Sequence, residues 1–244
     1  MTTVRCFITG TDTGVGKTHF SVWLIGQLRA AGYRVGAYKP VCSGVEVRDG
    51  RPTWEDADRL ATAVGGEWPL DRIAPQRFEA PLAPPVAAVL ESREVDEPAL
   101  AAGAEWWDGR VDVLIVEGAG GWLSPISRNW TNADLAQRLA SPVVLVAGNR
   151  LGVINHALLS IAEIRRTCDL AGIVLNQLAP MPTTRSSVFD AAQSNLDEIE
   201  RRAGLKAWGT LTYGERPQLV CRGAEVVPDW MQLLPLGRPE WQPS

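Results

Sequence analysis

Residues 10–18 constrain the fold of this chain more than any other segment. They read Gly-Thr-Asp-Thr-Gly-Val-Gly-Lys-Thr, follow an apolar run at residues 4–8 and lead into a helical pattern. A strand, a glycine-containing loop ending in Lys-Thr, and a helix are the layout of a phosphate-binding loop. Backbone N–H groups of such a loop form an anion-binding concavity, to which the helix N-terminus adds partial positive charge. The strict motif has glycine at position 11, whereas here it stands at position 10.

The Lys-Thr pair predicts that the loop binds a nucleoside triphosphate with Mg²⁺. Lys17 would reach the outer phosphates, and the Thr18 hydroxyl would coordinate the cation. A glycine-rich turn without a ligand would explain Gly14 and Gly16 but gives no reason for Lys-Thr directly after them. We therefore expect the nucleotide to contact Gly14, Val15, Gly16, Lys17 and Thr18.

Length and composition predict an ordinary cytoplasmic protein with one large α/β domain, with two small domains as the alternative. We assign residues 1–244 to a single domain, in which residues 213–244 have no assignment. The chain has 244 residues, 45% of them hydrophobic and 21% charged, and a net charge of −4. That charge argues against nucleic acid or an anionic membrane as a partner. No apolar run approaches the roughly 18 residues of a membrane span, and the N-terminus does not read as a secretory signal. The four cysteines have no metal-ligand spacing.

Strand and helix patterns alternate along the chain. This alternation predicts an α/β fold with a doubly wound, mostly parallel sheet and helices on both faces, as in P-loop NTPases. The predicted strands cover residues 4–8, 34–38, 111–116, 142–147, 171–175 and 207–211. The predicted helices cover residues 17–31, 53–64, 86–90, 97–107, 132–139, 155–166 and 190–202. The proline-rich residues 67–86 are expected to be mostly irregular.

Polar side chains and glycines follow the predicted strands at the point where each strand ends. In a doubly wound sheet, ligands bind just beyond the carboxyl ends of the strands. Lys39, Glu117 and Asn176 each follow a predicted strand and are therefore expected near the phosphate loop. Glu117 directly after an apolar run has the placement of a carboxylate near Mg²⁺, and residues 118–121 are small enough to let backbone N–H groups approach an anion.

Two further positions remain ambiguous from the residues alone. Asp56 could approach Mg²⁺, but residues 53–56 also fit a helix capping box, and Asp58 is a rival for the metal. Asn155 stands near a predicted helix start, where it could be a simple N-cap.

Four segments together resemble the dethiobiotin synthetase family, in the same order and with similar spacing. The segments are Gly10-Thr11-Asp12-Thr13 with Val15-Gly16-Lys17-Thr18, Lys39-Pro40-Val41 with Ser43-Gly44, Val116-Glu117-Gly118-Ala119-Gly120-Gly121, and Leu151-Gly152 with Ile154-Asn155-His156. The similarity runs from about residue 4 to residue 180 and includes the proline-rich segment near Arg77. Four motifs in order are far more specific than a phosphate loop alone.

The resemblance implies a Mg²⁺- and ATP-dependent ligase of biotin biosynthesis. Its substrates would be 7,8-diaminopelargonic acid, CO₂ and ATP, and its products dethiobiotin, ADP and phosphate. A carbamate and then a carbamic–phosphoric anhydride would be the intermediates. Family members are homodimers, so a homodimer is implied here as well.

The resemblance also implies roles for individual residues. Lys17 and Lys39 would bind the transferring phosphate oxygens, and the spacing from Ser43 favours Asp56 over Asp58 at Mg²⁺. The remaining implied roles fall into four groups: Mg²⁺ ligation by Thr18, Asp56 and Glu117; diamine or carbamate binding by Thr13, Lys39, Ser43, Gly120 and Gly121; adenine binding by Asn176; and contact with the partner's substrate by Leu151 and Asn155.

The C-terminal third departs from the family pattern. A Gly-x-Ile-Pro turn would complete the adenine pocket, but this chain has Gly209-Thr210-Leu211-Thr212, so the base preference stays open.

Two rival functions fit the sequence less well. A partitioning ATPase would carry a lysine early in the loop, where Asp12 stands, and a cobyrinic-acid-type amidoligase would bring a glutaminase domain.

Overall fold

The alternating pattern of the sequence builds a central eight-stranded sheet with two small two-stranded sheets beside it. The computed structural model describes residues 3–180, 188–226 and 229. The strands are β1 (Val4–Gly10), β2 (Val35–Tyr38), β3 (Val41–Ser43), β4 (Glu46–Arg48), β5 (Arg51–Thr53), β6 (Gln76–Phe78), β7 (Val113–Gly121), β8 (Val143–Gly148), β9 (Leu170–Asn176), β10 (Gly209–Leu211), β11 (Leu219–Cys221) and β12 (Ala224–Glu225).

Helices connect most of these strands. They are α1 (Lys17–Ala30), α2 (Glu55–Ala63), α3 (Leu70–Ile73), α4 (Pro84–Leu90), α5 (Glu97–Glu105), α6 (Asn132–Arg138), α7 (Val153–Ile164) and α8 (Val188–Ala203).

The central sheet is mostly parallel, which confirms the predicted fold class. Its strand order is β12-β11-β10-β9-β8-β1-β7-β2, and the six strands from β10 to β2 pair in parallel. The last two strands add an antiparallel edge, in a region where the sequence pattern predicted no element. All six residues of β8 are buried. Because successive side chains of a strand point to opposite faces, both faces of the sheet are covered at β8.

Helix α1 packs against the sheet through an apolar face and positions the phosphate loop. Phe20, Leu24, Ile25 and Leu28 are completely buried. Each such side chain contributes roughly 1.5–3 kcal/mol through its removal from water. This packing fixes the first turn of the helix, and with it Lys17 and Thr18, relative to the carboxyl end of β1.

Residues 67–86 are more ordered than the sequence pattern predicted. They contain α3, β6 and the start of α4, and β6 pairs in parallel with β3. Strand β6 has only three residues and its partner lies more than thirty positions earlier. Neither feature leaves a periodic signal in the local sequence, so the expectation of irregular structure was wrong here.

At three elements the observed boundary differs from the predicted one in a way that changes a residue's assignment. Strand β7 continues past Glu117, with a register shift opposite β1. Helix α7 begins after Gly152, so Asn155 lies within the first turn and is not the N-cap. Helix α2 begins after Trp54 without a side-chain cap, so the predicted capping box does not form and the Asp56 carboxylate is available for other contacts.

Three tryptophans at the amino-terminal side of β7 pack against one another. Trp68, Trp106 and Trp107 meet in edge-to-face contacts with ring centroids 5.0–5.8 Å apart, and Trp107 is fully buried.

None of the helices in the described part of the chain has both the length and the apolar character that a membrane span requires.

Candidate active site

The phosphate loop turns through two glycines in the left-handed region of backbone conformation. Gly14 has φ 71° and Gly16 has φ 89°, values that side chains with a Cβ rarely adopt. A Cβ at Gly16 would in addition overlap the Asn176 amide. The glycines therefore allow the loop to close against the end of β9, and Gly16 lies directly before the first residue of α1.

Lys17 is buried inside the loop and its ammonium points back along it. Its Nζ donates to the Asp12 carbonyl oxygen at 3.0 Å. Burial lowers the pKa of Lys17 to about 8, and the nearby charge of Lys39 adds to this effect. The charged form of Lys17 is therefore destabilised by burial, and a polyanionic ligand beside the ammonium would stabilise it.

Two carboxylates converge on the hydroxyl of Thr18. The Thr18 Oγ1 atom lies 2.7 Å from Asp56 Oδ1 and 2.7 Å from Glu117 Oε1. A threonine hydroxyl has one proton, so it can donate to only one of these oxygens at a time. Three oxygen ligands around one point, two of them charged, form the kind of donor set that Mg²⁺ prefers.

Lys39 also contacts both of these carboxylates. Its Nζ lies 2.7 Å from Glu117 Oε1 and 2.9 Å from Asp56 Oδ2, and its side chain is 4% exposed. Burial acts to lower the pKa of Lys39, but the charges of Glu117 and Asp56 outweigh it and raise that pKa above its ordinary value. Burial likewise acts to raise the pKa of Asp56, and Lys39 and Thr18 reverse this and lower it to about 2.

The structure separates Asp56 from its rival. Asp56 lines the cleft beside Thr18 and Lys39, whereas Asp58 is not among the lining residues. Residues two apart on a helix point in different directions, so only one of them can face the phosphate loop.

Ser21 is a site residue that the sequence analysis missed. It is completely buried and its Oγ donates to Glu117 Oε2 at 2.6 Å. This bond occupies the carboxylate oxygen that faces away from Lys39 and orients the whole group. Ser21 lies three positions after Thr18 on α1, and that spacing places both hydroxyls on one side of the helix. The spacing could have identified it.

A cleft of about 640 Å³ opens above these groups. Thr13, Ser43 and Gly120 line it, together with residues 81–84, which lie across one side. The Ser43 Oγ donates to the Leu82 carbonyl oxygen at 2.5 Å, so this hydroxyl retains acceptor capacity toward the cleft. Cys42 also borders the cleft, but burial raises the pKa of its thiol to about 11, which does not favour a nucleophile.

The structure places the other sequence-predicted residues in three different situations. Val15 and Gly121 lie beside the cleft without lining it. Asn176 is buried, its Nδ2 donates to the Val15 carbonyl oxygen at 3.0 Å, and its Oδ1 has no partner among the described residues. Leu151 and Asn155 are exposed and do not line the cleft of their own chain.

Comparison with known proteins agrees with this geometry. A family model described as "AAA domain" matches residues 5–216. Fold, phosphate loop and family model together define the chain as a P-loop nucleotide-binding protein of the AAA domain family.

Individual relatives narrow the class further. The chain is 38% identical over 229 residues to an ATP-dependent dethiobiotin synthetase of Rhodopirellula baltica, covering 89% of this chain and 87% of the relative. Enzymes of the same name from Anaeromyxobacter sp. strain Fw109-5 and Escherichia coli O157:H7 are 47% and 39% identical, covering 70% and 72% of this chain and 75% and 79% of theirs. The chain belongs to the dethiobiotin synthetase family.

Proposed function

We propose that this chain closes the ureido ring of dethiobiotin from 7,8-diaminopelargonic acid, CO₂ and ATP. The observation that carries the proposal is that Lys17, Thr18, Lys39 and Asp56 line one cleft. The completely buried Glu117 carboxylate contacts two of them, Thr18 and Lys39. Two cations and a carboxylate pair next to a phosphate loop suit phosphoryl transfer. Membership of an ATP-dependent ligase family supports the same activity.

The reaction needs positioned reactants and charge neutralisation rather than a covalent nucleophile. One substrate amine attacks CO₂ and loses a proton, which gives a carbamate. A carbamate oxygen then attacks the γ-phosphorus of ATP, and ADP leaves with the electrons of the broken P–O bond. The second amine attacks the carbonyl carbon of the resulting anhydride, and phosphate leaves as the ring closes. Proximity alone can supply roughly 7–11 kcal/mol toward such steps.

Lys17 and Lys39 would neutralise the charge of the transferring phosphoryl group. Lys17 already lies inside the phosphate loop, and its depressed pKa means that an adjacent polyanion would stabilise its charged form. Lys39 directly follows β2 and lines the same cleft as Lys17. A triphosphate bound in this cleft would lie near both cations.

Thr18, Asp56 and Glu117 would hold Mg²⁺, since their oxygens fit the ion's preference. The ion would neutralise charge on the phosphate oxygens. Among the described residues, no group of three His, Cys, Asp or Glu side chains could hold a metal. Mg²⁺ commonly uses one or two carboxylates together with phosphate oxygens and water, so this smaller donor set is sufficient.

The diamine or its carbamate would lie between Thr13, Ser43 and the turn at Gly120 and Gly121. Ser43 has acceptor capacity for a substrate N–H, and Gly120 brings backbone close to the cleft. The Asn176 Oδ1, which has no partner among the described residues, would accept from the amino group of adenine. Leu151 and Asn155 would contact substrate bound to a second subunit of a homodimer. A cytoplasmic location remains the expectation from the sequence.

Product formation from labelled bicarbonate tests the proposal. The purified protein is incubated with 7,8-diaminopelargonic acid, ATP, Mg²⁺ and labelled bicarbonate, and acid-stable label in dethiobiotin is sought by mass spectrometry. Product that depends on both ATP and Mg²⁺ is the expected result. ATP binding without product would leave the phosphate loop assignment intact, overturn the substrate assignment and favour a nucleotide-dependent switch.

A further inference from the structure

Asn132, a residue outside the cleft, holds the glycine turn of β7 from behind. Its side chain is completely buried at the first position of α6. The Asn132 Oδ1 accepts from the Ala119 N–H at 3.1 Å, and Nδ2 donates at 2.7 Å to the carbonyl oxygens of both Ala119 and Gly121. A single amide therefore satisfies three backbone groups of one short turn.

The same turn is confined on its other side by Ser124 and by the phosphate loop. The Gly121 N–H donates to Ser124 Oγ at 2.8 Å. A Cβ on Gly120 would lie 2.5 Å from that oxygen, and a Cβ on Gly121 would lie 3.4 Å from the carbonyl oxygens of Gly10 and Thr11. The turn thus occupies a narrow space between α6 and the start of the phosphate loop.

Gly118 shows that Asn132 and the turn fit each other closely. A Cβ at Gly118 would lie 2.5 Å from Asn132 Oδ1, so the amide occupies space that only glycine leaves open at that position. The backbone around Asn132 is also anchored, because its N–H donates to the Ser124 carbonyl oxygen and the Ala133 N–H donates to that of Trp122. The amide has little freedom to find other partners.

We propose that Asn132 is a positioning residue that sets the affinity for the diamine by fixing the 118–121 turn against the phosphate loop. The inference rests on the proposed function, since the turn is assigned to the diamine. Asn132 does not line the cleft and acts only through Ala119 and Gly121. Buried hydrogen-bond networks of this kind preorganise a binding surface, and a displacement of about 1 Å can cost roughly 100-fold in activity.

Two variants at one site and one at its neighbour test the proposal. Asn132→Leu keeps the approximate volume and removes all three bonds, and we expect the KM for the diamine to rise by about tenfold or more with the Kd for ATP within about twofold. Thr131→Val is the matched control, because it removes the side-chain cap of the same helix and none of the three bonds from Asn132 to the turn. A KM that stays unchanged in Asn132→Leu, or that rises equally in Thr131→Val, would overturn the proposal.

Asn132→Asp supplies a readout that a purely structural role would not give, and it serves if Asn132→Leu does not fold. A protonated aspartate can accept from Ala119 and donate to one carbonyl oxygen, whereas an ionised one repels both carbonyls. Burial raises the pKa of such a carboxyl. The ratio of its diamine KM to that of the natural protein should therefore rise from about pH 6 to about pH 9. A ratio independent of pH would contradict the proposal.

Hydrogen exchange separates failure of this inference from failure of the proposed function. The Ala119 amide should exchange faster in Asn132→Leu than in Thr131→Val, whatever the substrate is. If the natural protein makes no dethiobiotin, the proposed function fails, and exchange at Ala119 still decides whether Asn132 holds the turn. Unchanged protection of that amide would overturn the inference by itself.

Discussion

Lys39 pairs with both Asp56 and Glu117. Its proposed contact with the transferring phosphoryl group should strengthen in the transition state, where negative charge moves on the phosphate oxygens. We expect Lys39→Met, which keeps most of the side-chain volume, to lower kcat by about 100-fold while the Kd for ATP changes by less than about tenfold. Steady-state kinetics and calorimetric ATP titration measure the two effects separately. An unchanged kcat together with weaker ATP binding would remove Lys39 from this role.

Lys17 predicts a pH dependence of nucleotide binding. Its pKa of about 8 in the nucleotide-free protein should rise when phosphates bind, because they stabilise the ammonium. ATP binding should then take up a proton above about pH 8, and affinity should fall by up to about tenfold per pH unit there, with no such loss below pH 8.

Calorimetry in two buffers of different ionisation enthalpy measures that proton uptake. At about pH 9 the natural protein should take up close to one proton, and Lys17→Arg, which stays charged, should take up less. Equal uptake by both proteins would exclude Lys17 as the source.

For individual side chains, the sequence predicted some site residues and left others, such as Asp56, undecided. The pattern identified Lys17, Thr18 and Glu117 because each follows an apolar strand or belongs to a motif. Without the family resemblance it could not decide between Asp56 and Asp58, since both belong to the first turn of α2 and the rotation of a helix depends on packing. The three bonds of Asn132 were also invisible, because they join positions 11 to 13 residues apart through a turn.

Among the elements, helix α1 and strand β7 are joined by a polar contact within the core. Ser21 Oγ donates to the buried Glu117 carboxylate at 2.6 Å. Hydrogen bonds to charged groups contribute about 1.5–3 kcal/mol. We expect Ser21→Ala to lower the free energy of unfolding by about that amount in urea denaturation.

Ser160→Ala is the control for this prediction. Its Oγ donates to the His156 carbonyl oxygen on an outer face of α7 at 2.8 Å. Its removal should change the free energy of unfolding by less than about 0.5 kcal/mol. Similar losses in both variants would mean that the Ser21 bond gives no special stability.

The elements of the parallel sheet were predictable, but the segment near residue 80 was not. Strands β1, β8 and β9 have apolar runs that are visible without any structure. In contrast, β6 has only three residues. Leu82, four positions after that strand, is held beside the cleft by a bond from Ser43, which lies 39 positions earlier. Such order arises from non-local pairing, which local patterns do not record.

Leu151 and Asn155 are exposed and do not line the cleft of their own chain. They can therefore contact substrate only if it is bound to a second subunit. Asn155→Ala should then raise the KM for the diamine and leave the Kd for ATP unchanged. An unchanged KM would count against the contact between subunits.

Mixed subunits test this arrangement directly. Asn155→Ala and Lys39→Met are each nearly inactive at low diamine concentration if the roles are correct. After equal amounts exchange subunits, half of the dimers are mixed and one of their two sites has both native residues. About a quarter of the natural activity should therefore return. No recovery after verified exchange would show that Asn155 does not act across a dimer.

The bridge from Lys39 to the two carboxylates implies that the resting protein carries its own counter-ion. The carboxylates of Asp56 and Glu117 balance the charge of a divalent cation only when the Lys39 ammonium no longer pairs with them. The phosphates of ATP would give that ammonium another anionic partner. Metal alone should therefore bind weakly, and Lys39→Met should tighten Mn²⁺ binding by about tenfold in the absence of nucleotide, measured by electron paramagnetic resonance. Weaker or unchanged Mn²⁺ binding in Lys39→Met would contradict the exchange of the ammonium for the metal ion. If this exchange occurs, the protein binds metal tightly only together with nucleotide.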